Sequence, residues 1–122
     1  MIQKIKSEQD IYKIIGSSGC YFLALANLLC PNCDKVWLYK YWIYKGYMND
    51  DCYINDTFLL ACEYGYTYVY EPRLDLLTTR KDIIVEFSLP NCSHFIALDD
   101  INFDYYAQNY SVKSYRVFEK LY

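Results

Sequence analysis

Thr57-Phe-Leu-Leu-Ala-Cys-Glu-Tyr64 and Tyr66-Thr-Tyr-Val-Tyr-Glu71 stand on either side of Gly65, and the change of rhythm between them decides the fold. The first stretch follows Asn55-Asp56, a natural helix cap, and is built from good helix formers. Gly65 supplies a helix stop. The second stretch alternates aromatic and β-branched residues with polar ones, the two-residue period of a strand. The regular elements upstream of Gly65 read as helices and those downstream as strands. Helices first and strands second is an α+β pattern, with N-terminal helices packed on one face of a C-terminal antiparallel sheet.

Upstream, Ser7-Glu8-Gln9-Asp10 resembles a capping box and opens a first helix, which Gly16 is expected to end. Cys20-Tyr-Phe-Leu-Ala-Leu-Ala-Asn-Leu-Leu-Cys30 is apolar nearly all round and bounded by Pro31, so it reads as a buried central helix. Asp34 caps a third helix from Lys35 to Lys45, closed by Gly46. Downstream, residues 82–88, 93–99, 102–106 and 114–119 are further strand candidates after 66–71, which Pro72 interrupts. Their short connections make them sequential antiparallel neighbours.

The chain has 122 residues, 54% of them hydrophobic, enough for one globular domain, 1–122, that needs no covalent staples. A net charge of −3 argues against a nucleic-acid partner, which a basic excess would serve. No apolar run approaches the roughly 18 residues of a membrane span. The opening Met1-Ile-Gln-Lys-Ile-Lys6 lacks the apolar stretch of a secretory signal, so a cytoplasmic location is expected. Sixteen Tyr among 20% aromatic residues could present a stacking surface for peptides or sugars, although their even spread fits half-buried packing better.

Cys20 follows Gly19 at the first turn of the central helix. Backbone N–H groups and the positive end of the helix dipole favour a thiolate there. A nucleophile also needs a base, and the chain has a single histidine, His94, at the start of an apolar strand. Asp104 on the expected next strand, or Asp99 and Asp100 in the turn between, could orient its imidazole. Cys, His and Asp so placed form the nucleophile, base and orienter arrangement of acyl-transfer enzymes.

Ile15-Gly-Ser-Ser-Gly-Cys-Tyr-Phe-Leu-Ala-Leu-Ala-Asn-Leu-Leu29 resembles the nucleophile helix of papain-like cysteine peptidases related to the bacteriocin-processing (double-glycine leader) family. Asp82-Ile-Ile-Val-Glu-Phe87, a turn, and His94-Phe-Ile-Ala-Leu98 resemble that family's apolar strand and histidine strand. Phe103-Asp-Tyr-Tyr106 resembles the segment carrying its third catalytic residue, with Tyr105 where Pro is usual. The sequence is also similar to small phage- and plasmid-borne proteins that end in a motif like Ser114-Tyr-Arg-Val-Phe118. The resemblance implies a papain-like fold and hydrolysis of a peptide, or peptidoglycan, amide bond by Cys20, His94 and Asp104, with no cofactor. Six residues before Cys20 the family places an oxyanion glutamine. Ile14 stands there, so Gln9, the nearest glutamine, is the oxyanion candidate. The alternative is a catalytically inactive binding protein on the same fold.

Cys30-Pro-Asn-Cys33 has the spacing of a zinc half-site that Cys92 and His94 could complete. It also has the spacing of a redox pair, or of a plain helix–helix joint. The six cysteines are otherwise expected to be mostly reduced. No phosphate-binding glycine loop, calcium loop, Gly-x-Ser-x-Gly elbow or His-Glu-x-x-His is present, which removes those classes.

Overall fold

The computed structural model describes residues 6–71 and 82–121. Pro72, expected to end the first strand, lies outside them. Five helices and a four-stranded antiparallel sheet form an α+β fold. The helices are α1 (Glu8–Ser18), α2 (Cys20–Leu29), α3 (Lys35–Tyr44), α4 (Thr57–Glu63) and α5 (Phe103–Asn109). The strands are β1 (Tyr66–Glu71), β2 (Ile83–Ser88), β3 (Ser93–Ala97) and β4 (Ser111–Lys120).

The caps act where the sequence puts them. Ser7 Oγ accepts from Asp10 N at 3.1 Å, Asp34 Oδ2 from Trp37 N at 2.9 Å, and Asp56 Oδ1 from Leu59 N at 3.0 Å. Gly46 (φ +79°) and Gly65 (φ +81°) end α3 and α4 in the left-handed region that glycine adopts at least cost.

Gly16 does not end α1, which runs on to Ser18 and stops at Gly19. A Cβ on Gly16 would meet nothing within 4 Å, so that glycine merely sits on an open helix surface. A Cβ on Gly19 would lie 2.5 Å from the Ile15 carbonyl oxygen. That close approach lets α2 begin at once after α1, with Cys20 as its first residue.

The strand order is β1-β4-β2-β3 rather than a sequential meander. The reason lies in β2, where Ile83 through Phe87 are all buried. A strand buried on both faces takes a central position, and β4 with its ten residues pairs with it on one side and with β1 on the other. The short, half-buried β3 is left as an edge strand.

The expected strand at 102–106 is helix α5. Asp100 Oδ1 accepts from Asn102 N at 2.8 Å and starts the turn. Phe103, Tyr106 and Tyr110 then fall at helical spacing against the far face of the sheet, with Phe103 and Tyr106 5.7 and 5.8 Å from the Phe87 ring. The sheet is therefore covered on both faces. Ile84, Phe118 and Tyr66 join the core of α1–α4, whose centre is Phe22 set edge-on to Trp42 at 5.1 Å. Ile83, Val85, Phe87, Ile96 and Val117 face α5.

Among the described residues no helix is long and apolar enough to cross a membrane.

Candidate functional site

Cys20 sits half-buried at the α2 N-terminus, where no side chain caps the helix. Its neighbour Tyr21 stacks on Phe95 of β3 at 4.2 Å, which sets the first turn of α2 against the edge strand. A cavity of about 540 Å³ opens along this junction and is lined by both Cys20 and His94. Leu23, Ala24, Asn27 and Leu28 continue its α2 wall at one-turn intervals from Cys20. A second cavity of about 460 Å³, lined by Cys52, Thr57, Glu86 and Arg116 among others, shares Cys20 with the first.

Successive strand side chains point to opposite faces. Phe95 goes to the α2 side, while His94 goes to the α5 side and stacks on Tyr106 at 4.7 Å. Burial holds the His94 imidazole below its ordinary pKa, and the Asp100 carboxylate pulls it back up. Both Asp99 and Asp100 line the first cavity, as does Asn102. Among the described residues no hydrogen bond joins Cys20 to His94; the two line the same cavity.

Two expected members stand elsewhere. Asp104 was expected on a strand beside His94; it lies instead in the exposed first turn of α5 and lines neither cavity. Asp100 is the acid whose charge reaches the imidazole. Gln9 could approach Cys20 only if the chain between them doubled back. Instead α1 is one continuous helix. At about 1.5 Å per residue this puts Gln9 at the exposed start of α1, about 14 Å along the axis from the Ser18 end that leads into Cys20.

The zinc set is not assembled either. Cys30 and Cys33 are joined to each other as a disulfide across the α2–α3 joint, with Cα atoms 5.6 Å apart, while Cys92 is an exposed free thiol. Among the described residues no three His, Cys, Asp or Glu side chains converge as metal ligands do.

Sequence reasoning missed the polar group beneath the second cavity. Glu86 and Ser114 are the buried polar residues of the described chain. Ser114 Oγ donates to Glu86 Oε1 at 2.7 Å, and Arg116 Nη2 reaches the same oxygen at 3.2 Å. The signal was a carboxylate inside Ile83-Ile-Val-Glu-Phe87, an otherwise apolar strand, since a buried charge requires a partner. No protein-family model matches the chain, and no curated protein or solved structure is similar to it at a significant level.

Proposed function

We propose that this chain is a small cysteine peptidase or amidase of papain-like fold, acting on a peptide or peptidoglycan amide bond. The observation that carries the reading is the first cavity, which gathers a thiol at a helix N-terminus and the single histidine, with Asp100 beside that histidine. His94 takes the Cys20 proton, and the thiolate attacks the amide carbonyl. The Cys20 backbone N–H is the donor nearest the developing oxyanion. His94 then passes its proton to the leaving amine, and water hydrolyses the thioester to return the free thiol and a carboxylic acid. Asp100 takes the orienting role in place of Asp104. A hydrogen bond between sulfur and imidazole is not required of a substrate-free site, since catalytic hydrogen bonds tighten on binding.

A catalytically inactive binding protein is the second reading. It is favoured by the remoteness of Gln9 and by the packing of His94 against Tyr106 rather than Cys20. A peptidyl acyloxymethyl ketone, read by intact-mass spectrometry, separates the two. The peptidase reading expects one adduct, on Cys20, lost in Cys20→Ala, formed far more slowly in His94→Ala, and kept in Cys33→Ala. Equal labelling of Cys20→Ala and the parent chain overturns it.

A further inference from the structure

Tyr21 is the residue after Cys20 and Phe95 is the residue after His94, and their rings stack at 4.2 Å. A contact between the immediate neighbours of two groups fixes how those groups face each other. On a strand, holding Phe95 to the α2 side holds His94 to the other. On a helix, holding Tyr21 sets the rotation of the first turn and so the direction of the Cys20 sulfur.

The stack is itself braced. The Arg116 guanidinium carbon lies 5.4 Å from the Tyr21 ring centre, 5.3 Å from Phe95 and 4.9 Å from Tyr70, within cation–π range of all three. Its nitrogens are anchored below. Nε donates to Ser114 Oγ at 3.1 Å, Nη1 to Tyr68 OH at 3.0 Å and Nη2 to Glu86 Oε1 at 3.2 Å. Phe95, Glu86 and Ser114 are register partners in one row across β3, β2 and β4. Arg116 therefore ties the edge-strand aromatic to the buried centre of the sheet. From the far side, Tyr21 OH shares a hydrogen bond of 3.1 Å with Thr57 Oγ1 at the start of α4.

We propose that Arg116 is a positioning residue: by capping the Tyr21–Phe95 stack it clamps the Cys20-bearing turn of α2 to the His94-bearing edge strand. This rests on the Cys20–His94 reading above. Arg116 touches no reacting atom in this role. A planar guanidinium presents its face to rings while its edge donates hydrogen bonds, and the ammonium of a lysine does not combine the two.

The test measures the rate at which the same peptidyl ketone alkylates Cys20, in the parent chain and in His94→Ala, as a function of pH. The ratio of the two rates is the acceleration due to His94. In Arg116→Met that acceleration should fall ten- to a hundredfold, the effect of displacing a catalytic pair by about 1 Å. The limb of the pH profile set by His94 should flatten with it. Arg116→Lys should restore only a small part. Tyr21→Leu removes the stack while leaving the Arg116–Glu86 pair, so it makes the same test if Arg116→Met does not fold, and the same loss is expected. Purely structural support would lower the unfolding temperature yet leave the folded fraction reacting at the parent rate and pH profile. That outcome, or full acceleration in either variant, overturns the clamp alone. A parent rate already independent of His94 overturns the base assignment, and the clamp with it.

Discussion

Replacing Glu86 by Gln tests the one charged residue that is buried among the described residues. Glu86 is 6% exposed, accepts hydrogen bonds from Ser114 and Arg116, and has Lys113 Nζ 3.7 Å from its second oxygen. Burial on its own would raise its pKa. Hydrogen bonds from Ser114, Ser93 and Arg116, with the guanidinium charge, outweigh that and hold the carboxyl below its ordinary value. Gln keeps the shape and one acceptor but strands the guanidinium without its counter-charge. Breaking a fully buried pair costs about 3–5 kcal/mol. The Arg116 side chain is 18% exposed and the acceptor survives, so about 2–3 kcal/mol is expected here. Against a total of roughly 6–18 kcal/mol for a chain of this length that is a large fraction, and it lowers the unfolding temperature by roughly 6–18 °C.

The pH dependence gives a sharper signature than the size. A carboxyl whose pKa is lower folded than unfolded contributes stability that is present above the unfolded value and lost as pH falls through the folded one. The gap between parent and Glu86→Gln should therefore be widest at neutral pH and close in acid. Urea unfolding followed by circular dichroism at pH 7 and at successively lower pH measures both. A variant within about 0.5 kcal/mol of the parent at pH 7, the range of an ordinary surface change, would refute the reasoning. So would a gap of equal size at pH 7 and pH 3.

Two further outcomes follow from single positions. Gly19→Ala should destabilise by about 1–3 kcal/mol, because its Cβ has only the Ile15 backbone to push against, whereas Gly16→Ala should be neutral or stabilising by about 0.5–1 kcal/mol; equal effects in chemical denaturation would contradict the close approach. As the only histidine, His94 gives one resolvable imidazole signal by NMR. It should titrate below 6.5 because of burial, and lower still in Asp100→Asn; an unchanged or raised midpoint would remove Asp100 from its side. The unfolded chain takes up that proton first, so the same group makes folding less favourable as pH drops through 6.5.

Much of this architecture is local chemistry and so is written in the sequence. Ser7, Asp34 and Asp56 cap helices because their side-chain oxygens reach the free N–H groups of the next turn, and Gly46 and Gly65 stop helices because a positive φ costs them least. The placement of Cys20 at a helix start and His94 at a strand start is of the same kind. What tertiary structure alone decided involves residues far apart in the chain. Phe103-Asp-Tyr-Tyr106 alternates well enough for a strand, but the buried ring of Phe87 selects the helical phase that lays Phe103 and Tyr106 against it. That choice carries Asp104 into solvent and leaves Asp100 as the acid His94 feels. Gln9 is excluded because α1 runs unbroken through Gly16, where an open helix surface imposes no stop. The insertion of β4 between β1 and β2 brings Arg116 under Tyr21 and Phe95, a meeting of three distant segments. Caps and stops depend on atoms a few residues apart, so the sequence determines them. The partners of a buried charge or ring are chosen by which segments the core brings together, and only the folded chain decides that.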